Sequence, residues 1–417
     1  DMRTGKRVWQ CELSLIDTAL LIAGVLVAAT YFDGDGDESE IREIADGLYR
    51  RVDWRWAQSG TAGLSQGWKP ECGFLHYGWE GYNEATLLYV LGLGSPTFPL
   101  TPSGYVTWKL TYQWENLLGR DVLYSGPLFT HLFSHAWIDF RGIRDSFMRE
   151  KDSDYFENTK RTIAIHREYG ERNPHGFEGY GRDFWGVTAG DGPSNREMRE
   201  NGQDRRFFGY MSRGVPYGPD DGTLAPWALL APAPFGIDAA LAGTRHLLEK
   251  YPQVCANDRF SSGFNPTLRA GGTAWLSEGW YGLDQGLLTM MIENYRSNLI
   301  WDITRRSPTL RTGLQSTGFD GAWLASPSPT CSSSTPVPPD WKRRVRSDSA
   351  ATTWPSPRQR PSSAAAWPRS RSSLVSRPGV ASRTTAPTRS PSWRMSRSSM
   401  TAGSSPRRGG SSASTRC

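Results

Sequence analysis

The residues best suited to chemistry lie in one short motif, residues 78–85, with the sequence GWEGYNEA. Two carboxylates and an amide stand there between aromatic rings, and the glycines give the backbone conformational freedom. The apolar run that follows, residues 85–93, predicts a helix beginning where the motif ends. A carboxylate beside aromatic faces at a helix start is typical of sugar-cleaving sites. The structural alternative is that Glu84 interacts with the helix dipole while the rings pack in the core.

Other loops combine aromatic and acidic residues in the same way at the ends of apolar helices. Residues 176–222 form a long, glycine-rich stretch that contains YGRDFWG and TAGDGP and ends in VPYGPDDG. A loop of this length is usually functional or disordered, and its aromatic content argues against disorder. Sugars stack their C–H faces on such rings and bind carboxylates and guanidinium groups through paired hydrogen bonds. The 18 Trp and 16 Tyr residues could therefore supply several sugar subsites.

Two histidines and one aspartate raise the question of a metal site. Residues 128–140 are predicted to be helical, which puts His131, His135 and Asp139 at i, i+4 and i+8 on one face. Zinc accepts two histidines at that spacing, but the HExxH glutamate is missing and Asp139 lies two turns from His131. We predict that these residues contact a ligand or neighbouring helices, and we predict no metal and no cofactor.

Motifs for nucleotides and calcium do not fit the sequence. It has no GxGxxG after a strand, no GxxxxGK[ST] and no GxSxG elbow. An EF-hand that starts at Asp33 needs glycine at its sixth position and glutamate at its twelfth, where Glu38 and Ile44 stand. The acidic stretch of residues 33–38 is therefore interpreted as a solvated turn.

The elements that must position the motifs are helices, so we predict an all-α fold for residues 1–325. Residues 15–31 are apolar nearly all round, which predicts a helix surrounded by other elements. Residues 39–54 follow with helical apolar spacing. An inner apolar helix followed by an outer amphipathic one is the unit of an α/α barrel. Further helices are predicted at residues 156–169, 226–230, 239–248 and 285–305.

Charge divides the chain at about residue 325. The whole chain carries a formal charge of +6, but residues 326–417 hold 16 Lys and Arg against 2 Asp and Glu, so residues 1–325 are net acidic at −8. The tail contains 25 Ser and 13 Pro among 92 residues and has no apolar period, so it cannot bury enough surface to fold. We interpret it as the product of a shifted reading frame; genuine disorder and an Arg/Ser segment that binds RNA are the alternatives. No nucleic-acid partner is predicted for residues 1–325.

Cysteine usage and the chain ends restrict the prediction further. Five widely spaced cysteines without a CxxC indicate neither a disulfide framework nor a structural zinc site. The longest apolar stretch, residues 18–32, is shorter than the roughly 20 residues that cross a bilayer, so no membrane span is predicted. The first residues lack the apolar region of a signal peptide, and a chain that begins with Asp1 suggests a fragment or processed product. The sequence itself predicts neither a localisation nor an oligomeric state.

Several of these motifs together resemble the bacterial glucoamylase-like family, which is related to the endo-β-1,2-glucanases. The matching stretches are residues 12–21 (ELSLIDTALL), 79–85 (WEGYNEA), 135–142 (HAWIDFRG), 216–223 (PYGPDDGT), 282–286 (GLDQG) and 293–296 (ENYR). The resemblance runs from residue 1 to about residue 324. Family members have additional chain before the segment that matches Asp1, so the first barrel helices are expected to be missing.

The resemblance implies an (α/α)6 barrel that hydrolyses glucans with inversion, in a periplasmic or extracellular setting. The family's glutamate in the Tyr-Asn-Glu-Ala segment matches Glu84, which implies a general acid. The acidic position before Thr-Ala matches Asp17, the implied second catalytic carboxylate. A further acidic position of the family corresponds to Ser14, where this sequence departs from the pattern.

Electrostatics supports this division of roles. Glu84 lies among aromatic and apolar residues, and desolvation raises the pKa of a carboxyl group, as a general acid requires. Asp17 lies near the start of a predicted helix, where the dipole favours the ionised form that a base requires. Inversion needs carboxyls roughly 6.5–9.5 Å apart. We predict that Glu84 and one of Asp17, Asp221 or Asp284 form such a pair.

The remaining site residues are predicted to bind an oligo- or polysaccharide substrate. They are Trp79, Tyr82, Asn83, His135, Asp139, Arg141, Trp185, Asp191, Tyr217, Asp220, Asp221, Asp284, Gln285, Glu293 and Arg296. For the charged members the alternative is a helix cap or a structural ion pair. Two other functions stay open: a carbohydrate-binding barrel that has lost hydrolysis, and a lyase or epimerase that uses a base such as His76, His131 or His135.

Overall fold

Helices dominate the fold, which the computed structural model describes over residues 3–200, 202–270 and 272–326. The α-helices are α1 (Leu15–Tyr31), α2 (Asp37–Arg50), α3 (Thr86–Leu93), α4 (Pro102–Lys109), α5 (Phe133–Trp137), α6 (Ser146–Glu150), α7 (Tyr155–Arg172), α8 (Trp227–Leu230), α9 (Ile237–Lys250), α10 (Gly282–Ser297), α11 (Leu299–Arg306), α12 (Pro308–Ser316) and α13 (Ala322–Ala325). Short 3-10 helices occur at Trp56–Gln58, Leu128–His131, Ala233–Phe235 and Pro252–Val254. The fold is therefore mainly helical, as predicted.

Short strands correct the prediction of a purely helical chain. They are β1 (Leu13–Ser14), β2 (Gly67–Lys69), β3 (Gly73–Phe74), β4 (Trp114–Leu117), β5 (Arg120–Leu123), β6 (Ala189–Gly190), β7 (Arg196–Glu200), β8 (Gln203–Phe207), β9 (Met211–Ser212), β10 (Cys255–Ala256), β11 (Arg259–Phe260), β12 (Phe264–Ala270) and β13 (Thr273–Leu276). They form one three-stranded sheet, β1-β2-β3, and two-stranded antiparallel pairs. The strands shape the loops between helices, and much of the predicted loop at residues 176–222 consists of β6 to β9.

Helix α1 is buried on one side rather than all round. Ala19 and Ala23 lie in the core, whereas Leu21 leaves 66% of its surface exposed. The prediction of a fully surrounded helix is therefore wrong for the described chain, because α2, α3 and α11 cover only part of it. Its start is fixed by β1, where Leu13 pairs with Trp68.

Helix α3 is the centre of the core, with every residue from Thr86 to Leu93 buried. It packs against α1 and α12. The contact with α12 depends on Gly313, because a Cβ there would overlap the carbonyl of Val90. The helix predicted after the Glu84 motif is confirmed, and its burial holds that motif at a fixed point of the fold.

The predicted helix at residues 128–140 is wrong. A 3-10 turn at Leu128–His131 is followed by α5, which ends at Trp137, and Ile138 is extended. His131 and His135 therefore do not share a helix face with Asp139. Among the described residues, no group of three or more His, Cys, Asp or Glu side chains is placed to hold a metal ion.

The helices at the C-terminal end also differ from the prediction. Residues 285–305 were expected to form one helix, but Asn298 adopts a left-handed conformation with φ of 55° and separates α10 from α11. Helices α7 and α9 correspond to the predicted ones and extend beyond them at both ends.

No helix in the described ranges is long and apolar enough to cross a membrane. The predicted tail, residues 326–417, lies outside the described residues except for Ser326.

Candidate active site

Three carboxylates occupy the starts of helices. Asp17 lies in the first turn of α1, Asp284 lies in the first turn of α10, and Glu84 precedes α3 by two residues. Helix α1 packs on α3 and also on α11, the direct continuation of α10. The N-terminal dipole of each helix favours a negative charge at these positions.

The turn that carries Glu84 is built by its neighbours. The Asn83 carboxamide accepts a hydrogen bond from the amide of Ala85 at 3.0 Å and donates to the carbonyls of Glu80 and Gly81 at 3.1 and 3.2 Å. The hydroxyl of Ser134 donates to the carbonyl of Glu84 at 3.0 Å. The carboxamide of Asn83, which was predicted to bind substrate, therefore stabilises the turn that carries Glu84.

Burial strongly perturbs the acidity of Glu84. Desolvation raises the pKa of the half-buried Glu84 side chain to about 7, a backbone hydrogen bond opposes this rise, and the charge of Asp17 adds a smaller one. No ion pair joins Glu84 to a cation among the described residues. Glu84 therefore keeps its proton up to neutral pH and can donate it.

Asp17 remains exposed at the start of α1. The Ser14 hydroxyl accepts a hydrogen bond from the amide of Asp17 at 3.2 Å, which caps the helix. Ser14, the departure from the family pattern, thus has a structural role. The charge of Asp17 contributes to the raised pKa of Glu84, which agrees with the prediction that the two carboxyl groups belong to one site.

A second acidic pair lies beside the start of α10. The hydroxyl of Ser262 donates to Asp284 at 2.7 Å, and that of Ser277 donates to Asp191 at 2.6 Å. Burial raises the pKa of Asp284 to about 6 despite its hydrogen bond from Ser262. Desolvation raises the pKa of the Tyr281 phenol most, and the charges of Asp191 and Asp284 raise it further.

Tyr210, which no sequence motif singled out, is influenced by the same carboxylates. It lies between β8 and β9 and leaves 77% of its surface exposed. Desolvation of the phenol raises its pKa most, and the charges of Glu84, Asp284 and Asp17 raise it further. The carboxylates at the starts of α1, α3 and α10 are therefore all close enough to the Tyr210 phenol to affect its pKa. The only sequence signal for Tyr210 was its position in the aromatic loop of residues 176–222.

Comparison with known families matches residues 76–308, more than half of the chain, to the family described as "Putative glucoamylase". The chain belongs to this glucoamylase-like family. The resemblance found in the sequence is thereby confirmed. The matched range contains Glu84, Tyr210 and Asp284.

Individual relatives agree with this membership. The exo β-1,2-glucooligosaccharide sophorohydrolase (non-reducing end) of Parabacteroides distasonis is 29% identical over 332 residues, which cover 72% of this chain and 43% of the relative. A glucoamylase-like structure from Bacteroides uniformis shares 29% identity at a TM-score of 0.65, covering 75% of this chain and 72% of its own. The endo-β-1,2-glucanase of Chitinophaga pinensis, in complex with sophorotriose and glucose, shares 26% identity at a TM-score of 0.65, covering 74% and 72%.

Several predicted substrate contacts of this glucoamylase-like chain are buried. His135 bonds through Nε2 to the hydroxyl of Thr159 at 3.1 Å, and burial lowers its pKa to about 3. Trp185 is 1% exposed, and Tyr82 packs against the ring of His131 at 5.1 Å. Trp79 is buried as well, with 9% exposed. Burial in the core therefore argues against direct contact of these side chains with a bound sugar in this conformation.

Two predicted acidic contacts are buried anions that pair with arginine. Asp139 accepts two hydrogen bonds from Arg141, at 2.8 and 2.9 Å, and also pairs with Arg305. Asp221 accepts from Arg213 at 2.7 and 2.9 Å, and both side chains are fully buried. The prediction that these carboxylates contact substrate is corrected, because cations already occupy their oxygens.

The remaining predicted contacts lie in several places. Asp220 accepts from the phenols of Tyr169 and Tyr180, at 3.0 and 2.8 Å. Tyr217 is 68% exposed, with its ring 5.6 Å from that of Tyr124, and no contact joins it to Glu84. Gln285 donates to the carbonyl of Phe260 at 2.9 Å.

Glu293 and Arg296 belong to the other end of α10. They form an ion pair with each other at 3.2 Å. Nine residues separate Asp284 from Glu293, which is about 13 Å along a helix. The structure therefore separates these two residues from the carboxylates at the start of α10.

Proposed function

We propose that this chain hydrolyses a β-1,2-linked glucan or glucooligosaccharide with inversion, with Glu84 as the general acid. The observation that carries the proposal is the pKa of Glu84, raised to about 7 in a neighbourhood shared with Asp17 and Asp284. A carboxyl group that holds its proton near neutral pH, close to a second carboxyl group, is the arrangement from which glycoside hydrolases build an acid–base pair.

In the proposed reaction the Glu84 carboxyl protonates the glycosidic oxygen as the bond to the anomeric carbon breaks. A water molecule attacks that carbon from the opposite face and gives its proton to a carboxylate base. The resemblance assigns the base to Asp17, which is exposed and can hold a water. Asp284 is the second candidate for the base. Asp221, the third carboxylate that the sequence offered as a partner of Glu84, is excluded because it forms a buried ion pair with Arg213. The inverting separation of the pair stays a prediction.

The substrate class rests on the relatives. One is named for hydrolysis of β-1,2-glucooligosaccharides and another is an endo-β-1,2-glucanase. The chain spans about 43% of the length of the first. The activity of the whole protein, its substrate and its choice between ends and interior of a glucan are therefore part of the proposal.

The proposed architecture is an (α/α)6 barrel with its site at the N-terminal ends of the inner helices. Helix α3 is fully buried, α1 packs against it, and α2 covers α1 as an outer amphipathic helix. The starts of α1, α3 and α10 carry Asp17, Glu84 and Asp284. An (α/α)6 barrel would bring these three helix starts to the same end of the fold.

The test is to incubate the protein with linear β-1,2-glucan, starch and laminarin, with Glu84→Gln beside it. We expect product from β-1,2-glucan alone, and a loss of roughly 100-fold or more in kcat in the variant, since a general acid contributes that much. Glu80→Gln is the matched control, because Glu80 belongs to the same motif and is exposed. NMR of the fresh product should show the inverted anomer.

Other outcomes identify the alternatives. Binding of β-1,2-glucan without product supports a carbohydrate-binding barrel, which the replacement of an acidic position by the capping Ser14 favours. An unsaturated product that absorbs in the ultraviolet supports a lyase. Burial lowers the pKa of His131 to about 4 and that of His135 to about 3, and both rings are enclosed, so neither is a suitable lyase base.

A further inference from the structure

A fully buried ion pair lies next to residues 208–210, the short segment that carries Tyr210. The Arg213 guanidinium donates from Nε and Nη2 to the two oxygens of Asp221, at 2.7 and 2.9 Å. Neither side chain is exposed to solvent. Burying two charges is costly unless their remaining hydrogen-bonding groups are satisfied, so the partners of this pair indicate what it holds in place.

Those partners are backbone groups next to Tyr210. Arg213 Nη2 donates to the carbonyls of Phe208 and Gly209, at 3.2 and 3.1 Å. The amide of Phe208 donates back to Asp221 at 2.9 Å. The two residues that precede Tyr210 are thus bound by both members of the ion pair.

The chain on the other side of Tyr210 is held as well. Met211 pairs with Gly190 in the β6–β9 ladder, and Arg213 Nη1 donates to the carbonyl of Gly190 at 3.1 Å. Gly192 lies so close that a Cβ there would overlap Arg213 Nη2 and the carbonyls of Phe208 and Gly209. A rigid backbone therefore presents an exposed tyrosine.

The same backbone leads directly to the acidic residues of the site. Asp191 follows Gly190, and its carboxylate accepts from Ser277 at 2.6 Å. The Asp191 carbonyl is close to Gly263, whose neighbour Ser262 donates to Asp284 at 2.7 Å. Tyr210 is consequently held on a backbone that is bound directly to the segments carrying Asp191 and Asp284.

We propose that Tyr210 is a substrate-contacting residue whose exposed ring stacks on a glucosyl ring, and that Arg213 and Asp221 are the positioning residues that hold it there. The sugar class rests on the proposed function. An exposed aromatic ring on an ordered backbone loses little conformational entropy on binding, which is how preorganisation increases affinity. The charges of Glu84, Asp17 and Asp284 around the phenol agree with this location.

The test measures binding and turnover of β-1,2-glucooligosaccharides separately. Tyr210→Ala should weaken binding about tenfold, the value of one aromatic stacking contact, with most of the effect on KM rather than kcat. Tyr210→Phe keeps the ring and should restore binding to within about twofold. Tyr295→Ala is the matched control, because Tyr295 is also exposed and lies near the far end of α10. Calorimetry in a Glu84→Gln background gives the Kd without turnover.

Gly192→Ala tests the positioning residues without removing a charge. Its Cβ should displace the Phe208–Gly209 backbone, so it should raise KM as Tyr210→Ala does while the protein still unfolds cooperatively. Once Tyr210 is already alanine, the added Gly192→Ala should raise KM little further.

The results separate this inference from the proposed function. Binding that weakens in Tyr210→Ala but not in Tyr295→Ala supports the inference even if the wild-type chain hydrolyses nothing. Equal affinity of wild type and Tyr210→Ala overturns it, whether or not hydrolysis occurs. Absence of oligosaccharide binding in every variant overturns both.

Discussion

Acidic residues in this protein occupy two contrasting environments. At the helix starts, Glu84, Asp17 and Asp284 have no ion-pair partner among the described residues, and burial raises the pKa of Glu84 and Asp284. In the interior, Asp139 and Asp221 are fully buried and each is paired with arginine. In the first environment the carboxyl oxygens are free of cations from the described part of the chain, while in the second arginine side chains occupy them.

Asp145 is a third member of the interior group. It accepts from Lys109 Nζ at 3.0 Å and from the phenols of Tyr105 and Tyr155 at 2.9 and 3.3 Å. Its other oxygen accepts from the amide of Met148 at 2.9 Å and caps α6. Every oxygen of this carboxylate has a structural use, so it joins core elements and takes no part in the site.

The contrast corresponds to two roles of carboxyl groups, proton transfer in the first environment and stabilisation of the fold in the second. A general acid must be able to hold and release a proton, and a permanent cation beside it would keep it ionised. A structural carboxylate needs that cation, because an unpaired buried charge is very unfavourable. Substitutions should therefore have opposite effects on stability in the two environments.

The largest effect is expected for Asp139→Ala. It leaves Arg141 and Arg305, whose side chains are 42% and 28% exposed, without their fully buried shared anion. Because water can reach both guanidinium groups, we expect a loss of about 2–3 kcal/mol, no more than the lower end of the cost of breaking a fully buried ion pair. Urea unfolding at pH 7 measures the loss. Asp302→Ala is the control, since Asp302 pairs with the same Arg305 at 3.1 Å but has a largely exposed side chain. Its removal should cost less than about 1 kcal/mol.

An Asp139→Ala variant as stable as Asp302→Ala would contradict the assignment of Asp139 to the structural group. Asp139 would then be free to act elsewhere, as the sequence predicted. The double-mutant cycle with Arg305→Ala measures how much of the loss comes from the pair itself.

A smaller effect of opposite sign is expected for Glu84→Gln. The folded pKa of about 7 lies above the ordinary value of 4.5, so the unfolded chain releases this proton first. The contribution of Glu84 to stability is therefore complete below pH 4.5 and is lost as the pH rises through 7. Glutamine cannot ionise, so the variant should match wild type at pH 4 and exceed it by about 1–2 kcal/mol at pH 8, after allowance for partial exposure.

Thermal unfolding at the two pH values distinguishes this effect from a general one. The exposed Glu80→Gln should show no such dependence on pH. A Glu84→Gln variant that is less stable than wild type at pH 8 would mean that ionised Glu84 has a stabilising partner, and the general-acid role would lose its physical basis.

The sequence was informative where local pattern decides the structure. The apolar run after Glu84 identified α3, and the motif before it identified the turn, because both depend on adjacent residues. Asp139 and Asp221 resembled site residues equally well. Arg141 and Arg213 lie only two and eight residues from them, but no local pattern shows that these arginines pair with the carboxylates. Arg305 is 166 residues from Asp139, and only the fold brings the two together. Tyr210 was missed for the same reason: its importance comes from three helix starts distant in sequence. The break at Asn298 also escaped prediction, because the apolar period continues across it.

The smallest effect is expected for Arg296→Ala, and the two ends of α10 make it informative. Arg296 is exposed and pairs with Glu293, so its loss should cost less than about 1 kcal/mol. It should leave kcat/KM for β-1,2-glucan within about twofold of wild type, because Arg296 lies about 18 Å along the helix from Asp284. Asp284→Asn, at the other end, should lower kcat/KM by about 10- to 100-fold, the value of one charge-assisted hydrogen bond to substrate. A loss of kcat/KM in Arg296→Ala as large as that in Asp284→Asn would mean that the substrate extends along the whole of α10. The ion pair of Glu293 and Arg296 would then belong to the site, which contradicts the distinction between the unpaired carboxylates at the helix starts and the structural ion pairs.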